Sequence, residues 1–167
     1  MKSIFKVIAF FALLGHCVEL VAQEIPTEYS FRYEEDFSAA EPLIKECVHF
    51  LKTTEVGGDP IKRIEVSGYF MEWCKGVPYI QIEVYPFITQ MTSYNPDLYE
   101  VFLAGWVDAY FANPEDEAEN YYYSGLLAML DIYAMGNGVR KNQDLDYLIK
   151  LRKEGKLQKR VEELMSW

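Results

Sequence analysis

The chain has 167 residues, half of them apolar, with 13 tyrosines, 10 phenylalanines and 3 tryptophans; 16 basic side chains stand against 26 acidic ones, for a formal net charge of −10. So much large apolar surface is the material of one packed domain and excludes an acidic disordered tail. The negative charge makes nucleic acid and anionic membrane surfaces poor partners.

The first 23 residues, MKSIFKVIAFFALLGHCVELVAQ, combine Lys2 and Lys6, an apolar run from Ile4 to Leu14, and Val21-Ala22-Gln23 as a cleavage site. This is the pattern of a secretory signal peptide, so the chain is expected to be exported to the periplasm or beyond the cell. The run is shorter than the roughly 20 apolar residues that span a bilayer, and no later segment reaches that length, so no transmembrane segment is expected in the mature chain. Cys17 follows His16, where a lipoprotein signal would carry a small residue, and is expected to leave with the signal peptide. Loss of Lys2, Lys6 and Glu19 makes the mature chain still more acidic.

Residues 24–37 are polar and irregular, with Tyr29, Phe31 and Tyr33 in alternation, which fits a linker or a short strand. The remainder, 38–167, reads as a single helical domain. Ser38 and Glu41 have the spacing of a capping box, Pro42 falls where a first turn tolerates it, and Leu43, Ile44, Cys47, Val48 and Leu51 follow at helical spacing. Gly57-Gly58 breaks that helix. Asp59-Pro60 opens the next, whose apolar face is expected to be Ile61, Ile64, Gly68 and Met71.

At Gly76 the period changes. Gly76 is expected to hold a left-handed helix end and Pro78 forbids continuation, while Ile80, Ile82 and Val84 alternate with Gln81, Glu83 and Tyr85. The spacing predicts an extended or β segment near 79–85 with its apolar side on the core, which makes Trp73, Gly76 and Pro78 a structural corner. Asn95-Pro96 starts a helix lined by Leu98, Val101, Phe102, Gly105 and Ala109. Asn113-Pro114 is expected to end it and start another, with Glu115, Asp116 and Glu117 in the first turn and Ala118, Tyr122, Leu126, Met129 and Tyr133 on its apolar face. Gly136-Asn137-Gly138 closes that helix, and two shorter helices follow, near 144–153 and 157–165. The expected fold is mostly α, a compact bundle of about six helices set largely as antiparallel neighbours because the loops are short.

The succession of FLKTT, YFMEW, Trp73-x-x-Gly76-x-Pro78, LYEVFLAGW and GKLQKRVEEL resembles a family of small secreted helical proteins from Bacteroides-like bacteria, over most of the mature chain. In general character the chain is also similar to small periplasmic helical proteins such as acid chaperones and toxin-immunity proteins. The resemblance implies export and a helical fold. It implies no activity and no site residues.

The mature sequence is poor in catalytic signatures. His49 is its one histidine, and His-Glu-x-x-His, Cys-x-x-Cys and Gly-x-Ser-x-Gly are absent, so neither a metal nor a cofactor is called for. Asp108 and Asp131 interrupt apolar runs and, if buried together, would suit acid–base hydrolysis. Helical spacing instead groups Asp108 with Asp97, Glu100 and Glu115, and Asp131 with Glu117, Asn120 and Ser124, on solvent faces.

Cys47 and Cys74 share an oxidising compartment and a disulfide between them stays open. A hairpin turning near Gly57 sets Cys47 opposite Val66, about 12 Å along the helix from Cys74, so the bond requires the second helix to bend. Tyr121, Tyr122 and Tyr123 cannot all face one core, because successive helical residues point about 100° apart. With Glu115 and Glu117 they would form an acidic, tyrosine-rich face. The expected function is therefore a non-enzymatic exported domain that binds another protein, preferably a basic one. The alternatives are a glycan-binding accessory protein and a hydrolase built on carboxylates.

Overall fold

The computed structural model describes residues 24–165, so the expected signal peptide and Cys17 lie outside the described residues. The fold is mostly helical and carries no strand among those residues: α1 Glu34–Thr53, α2 Pro60–Gly76, α3 Pro86–Thr92, α4 Pro96–Ala112, α5 Ala118–Met135, α6 Gln143–Lys153 and α7 Leu157–Met165. No helix of the described chain is long and apolar enough to cross a membrane.

Helix α1 begins at Glu34 and not at Ser38. Its start is fixed by Asp36, whose Oδ2 accepts the backbone N–H groups of Arg32 and Tyr33, both at 2.9 Å. These bonds favour the carboxylate and hold its pKa below the ordinary value. Phe37, assigned to the linker by its neighbours in sequence, is a buried core residue, and Pro42 lies inside the helix. The expected stripe of Leu43, Ile44, Cys47, Val48 and Leu51 is buried.

Helix α2 starts as expected, with the Asp59 carboxylate accepting the Lys62 N–H at 3.1 Å and Pro60 in the first turn. Its buried side, however, is Arg63, Val66, Ser67, Tyr69, Phe70 and Trp73, while Ile61 is 75% exposed and Ile64 74% exposed. The expected apolar face is turned outward. Two stripes at helical spacing compete on this helix, and the one carrying Tyr69, Phe70 and Trp73 removes more apolar surface from water at about 25 cal/mol per Å². Trp73 adds a buried hydrogen bond, its indole Nε1–H donating to the Phe37 carbonyl at 3.0 Å.

Gly76 ends α2, but not through a left-handed backbone: the glycines with positive φ are Gly136, Gly138 and Gly155. The constraint at Gly76 is steric, since a Cβ there would lie 2.8 Å from Cζ of Phe37. Beyond it, Pro78 and Tyr79 form a turn and residues 80–85 run as an irregular connector. The alternation survives without a sheet, with Ile80 buried, Ile82 and Val84 half-buried, and Gln81 and Glu83 exposed. The stretch from Tyr29 to Tyr33 does not pair with it. Instead the rings of Tyr29 and Phe31 lie against Tyr69, at 4.8 and 5.4 Å between centroids, and Phe31 stacks on Phe37.

The short helix α3 has Pro86 at its start and was not legible from periodicity. Residues 113–117 remain a turn, so Glu115, Asp116 and Glu117 precede α5 and do not form its first turn. At the centre, α4 and α5 form an antiparallel pair whose backbones touch. A Cβ on Gly105 would lie 2.8 Å from the Ser124 carbonyl oxygen and 2.9 Å from Cα of Gly125, and one on Gly125 would lie 2.6 Å from the Phe102 carbonyl oxygen. Helix α1 packs on both, α2 packs on α1, α3 on α4, and α6 and α7 on α5. One end is stitched by loops: the Gly57 N–H donates to the Asn137 carbonyl at 3.2 Å, and Asn95 bonds both the N–H and the C=O of Arg140.

Two outcomes follow from these close approaches. Gly105→Val should lower stability by at least about 3 kcal/mol in denaturant unfolding, because the α4 and α5 backbones must separate. Gly76→Val should cost about 1–3 kcal/mol, and a double-mutant cycle with Phe37→Leu should show coupling; additive effects would refute the steric account.

Candidate functional site

The tyrosines expected at the surface belong to the core. Tyr121 and Tyr122 are buried and Tyr123 is half-buried. The Tyr121 hydroxyl donates to the Asn113 carbonyl at 2.8 Å, and its ring meets Trp106 edge-on at 4.9 Å. Tyr122 is enclosed by Tyr85, Phe87 and Phe102, and its hydroxyl has no partner among the described residues. Glu115 and Glu117 are exposed in the turn before α5, and the neighbouring Tyr121 and Tyr122 rings are buried. Of the exposed tyrosine rings, Tyr29 and Tyr33 lie in the segment before α1, Tyr94 between α3 and α4, and Tyr147 on α6.

Asp108 and Asp131 are both exposed and each is paired: Asp108 with Lys52 of α1, Asp131 with Arg152 of α6. The register set by Gly105 against Gly125 sends them to opposite ends of the α4–α5 pair, so they share no pocket. His49 is exposed on α1. No group of three or more His, Cys, Asp or Glu residues is placed to hold a metal ion among the described residues.

Cys47 and Cys74 are free. Cys47 is buried near Tyr69, and Cys74 lies near Tyr99. Burial pushes the Cys47 thiol up to about 12 and raises Cys74 as well, so neither is a ready thiolate.

What the fold does assemble is the outward face of α2. Ile61, Ile64, Gly68 and Met71 lie at i, i+3, i+7 and i+10, the a and d positions of a heptad. Met71 is half-buried and the other three are exposed. Among the described residues nothing requires glycine at Gly68, where a Cβ would meet only the Tyr29 hydroxyl oxygen at 3.5 Å. One edge of the stripe carries the exposed Glu65 and Glu72, the latter paired with Lys75 at 3.2 Å.

Along the other edge runs a shallow cleft of about 320 Å³ lined by Met71, Thr92, Pro96, Tyr99 and Glu100, among others. Glu100 is half-buried and accepts a short hydrogen bond from the Ser67 hydroxyl. Burial raises its pKa, and the Ser67 bond opposes that shift.

Arg63, whose charge is felt by Glu100, is only 3% exposed. Its Nη2 donates to the Thr54 carbonyl at 2.5 Å and its guanidinium lies 5.7 Å from the Phe50 ring centroid. Nε and Nη1 have no hydrogen-bond partner among the described residues. Burial lowers its pKa, while Asp97 and Glu100 pull the other way. A second, polar cleft, also about 320 Å³, is lined by Ser93, Tyr94, Asn95, Pro96, Asp97, Gly138 and Arg140.

Comparison with protein-family models, curated proteins and solved structures returns no match to this chain.

The raised pKa of Glu100 fixes the sign of a pH effect. A carboxyl with a higher pKa folded than unfolded destabilises the fold when ionised, and that penalty disappears as pH falls below the unfolded value of about 4.3. Glu100→Gln should therefore raise Tm at about pH 7 and leave it unchanged near about pH 3.5. Thiol titration should find Cys47 unreactive in the folded protein and both thiols reactive once it is denatured.

Proposed function

We propose that this chain is an exported, non-enzymatic helical domain that binds another protein through the outer face of α2. The observation that carries this reading is the exposure of Ile61 and Ile64, three-quarters each, on one stripe with Gly68 and Met71. The opposite side of the same helix is packed on α1. Covering an exposed isoleucine removes apolar surface worth about 1.5–3 kcal/mol when fully buried, the usual driving term of helix-in-groove association. Scattered exposed apolar residues need no explanation; a contiguous row bounded by carboxylates supports an interface.

The glycan reading keeps one supporting feature, the exposed Tyr94 ring in the polar cleft beside Asp97 and Arg140. A single ring offers one stacking surface, and the side-chain amide of Asn95 is already committed to Arg140. The carboxylate-hydrolase reading loses its pair, since Asp108 and Asp131 are separated and each is bonded to a cation.

The test is affinity capture from envelope and culture-medium fractions of the producing organism, with the mature chain and its Ile61→Glu, Ile64→Glu double variant as baits. The native chain should recover a protein that the double variant loses, while circular dichroism shows both folded. Equal recovery by the two baits would place binding elsewhere. Glycan-array binding lost in Tyr94→Ala would favour the second reading.

A further inference from the structure

We infer that the segment received by α2 is an amphipathic helix from a different protein, with apolar residues at heptad spacing and lysine or arginine on both flanks. This rests on the reading of α2 as the docking face. Three features of that face specify the occupant.

The first is spacing. Ile61, Ile64, Gly68 and Met71 repeat as a-d-a-d over about 15 Å of helix, which is the seam that another helix meets knob into hole. The structure does not need Gly68 to be glycine. On the outer surface its missing side chain leaves a gap in the row between Ile64 and Met71, where a side chain from a facing helix can enter. A helix face has no open row of backbone donors and acceptors, so a strand gains nothing there.

The second is the sign of charge on both edges. Glu65 and Glu72 stand on one side, and Glu100, with Asp97 near it, on the other. Flanking positions choose partners by opposite charge. Glu72 is already paired with Lys75, whereas the donor to Glu100 is a neutral hydroxyl. A lysine or arginine side chain lying along Met71 and Tyr99 would reach the Glu100 carboxylate, and its aliphatic stem suits the apolar lining of the cleft.

The third feature disfavours a second copy of this chain. A two-fold axis through α2 makes the antiparallel seam self-complementary in Ile61 and Met71, but it brings Glu65 against the Glu65 and Glu72 edge of the other copy. Each copy also carries a net charge of −10 before any signal peptide is removed. Like charges at the edges oppose that pairing.

The experiment is a display selection against the folded mature chain, using a library of helical peptides randomised at seam and flanking positions. Enriched peptides should carry leucine or isoleucine at the seam and lysine or arginine beside it. They should bind the Ile61→Ser, Ile64→Ser variant at least tenfold more weakly. Binding to Glu65→Gln, Glu100→Gln should fall at least threefold and lose part of its salt dependence. Peptides that need Ile61 and Ile64 but show no basic bias would overturn the charge assignment and leave the docking face standing. Peptides that bind the serine variant as well as the native chain would overturn the docking face itself. Sedimentation showing a dimer that dissociates in Ile64→Ser would assign the face to self-association and end the proposal.

Discussion

The contact on which the fold depends is the crossing of α4 and α5 at Gly105 and Gly125. Because neither residue has a Cβ, the two backbones come together and the larger neighbours interlock around them, Phe102 against Tyr122 and Trp106 against Tyr121, each pair at 4.9 Å. Residues from Leu98 to Val107 of α4 are almost continuously buried, so this helix has no solvent face along that stretch except at its edges. Helix α1 can lie across both members only because they form one surface. Packing at close to crystalline density leaves little room for a methyl group at such a crossing, and the cost of adding one is paid by the whole bundle.

Helix α2 is attached differently. Between the buried Val66, Tyr69 and Phe70 of its middle, side-chain bonds to the backbone hold both ends: Trp73 to the Phe37 carbonyl near one, and Arg63 to the Thr54 carbonyl near the other. Arg63 is an unusual anchor, a nearly fully buried cation with two nitrogens, Nε and Nη1, lacking partners among the described residues. It is tolerable where it stands because the Phe50 ring, Asp97 and Glu100 surround the guanidinium with negative potential. The same cation draws Glu100 toward the α2–α4 boundary. The acid and the apolar stripe thus come to border one another through the demands of the fold, which is how a packed bundle presents a mixed surface.

Much of the architecture was legible in sequence. Cap-plus-proline signals located the starts of α2 and α4, and the α1 stripe matched the buried residues because one face alone is strongly apolar there. The stripes expected on α4 and α5 were buried except at Ala109, which is half-buried, and Ala118, which is exposed; both helices also bury residues outside those stripes, because neighbours pack on them from several sides. Periodicity failed at α2 for a physical reason: two stripes fit the helical period, and the choice between them is made by what Phe37 and α1 offer, not by local spacing. Gly76 was recognised as a stop, but the need for glycine there comes from a ring of α1 that no local rule contains. The tyrosine triplet was misjudged because Tyr121 satisfies its hydroxyl within the core, so two adjacent rings are buried against different neighbours. The exposed stripe itself was visible as a pattern. Its role was inverted.

The α4–α5 crossing also bears on the order in which the chain assembles. Only the turn at 113–117 separates the two helices, so Gly105 and Gly125 meet after a short loop closes, at small entropic cost. Helix α1 must find the same surface from across α2, α3 and their connectors, a longer closure that is worthwhile only once that surface exists. The α4–α5 hairpin is therefore the expected folding nucleus, with φ-values near Phe102 and Leu126 above those in α2. The helix with the exposed apolar stripe is then the one whose arrival the nucleus does not wait for.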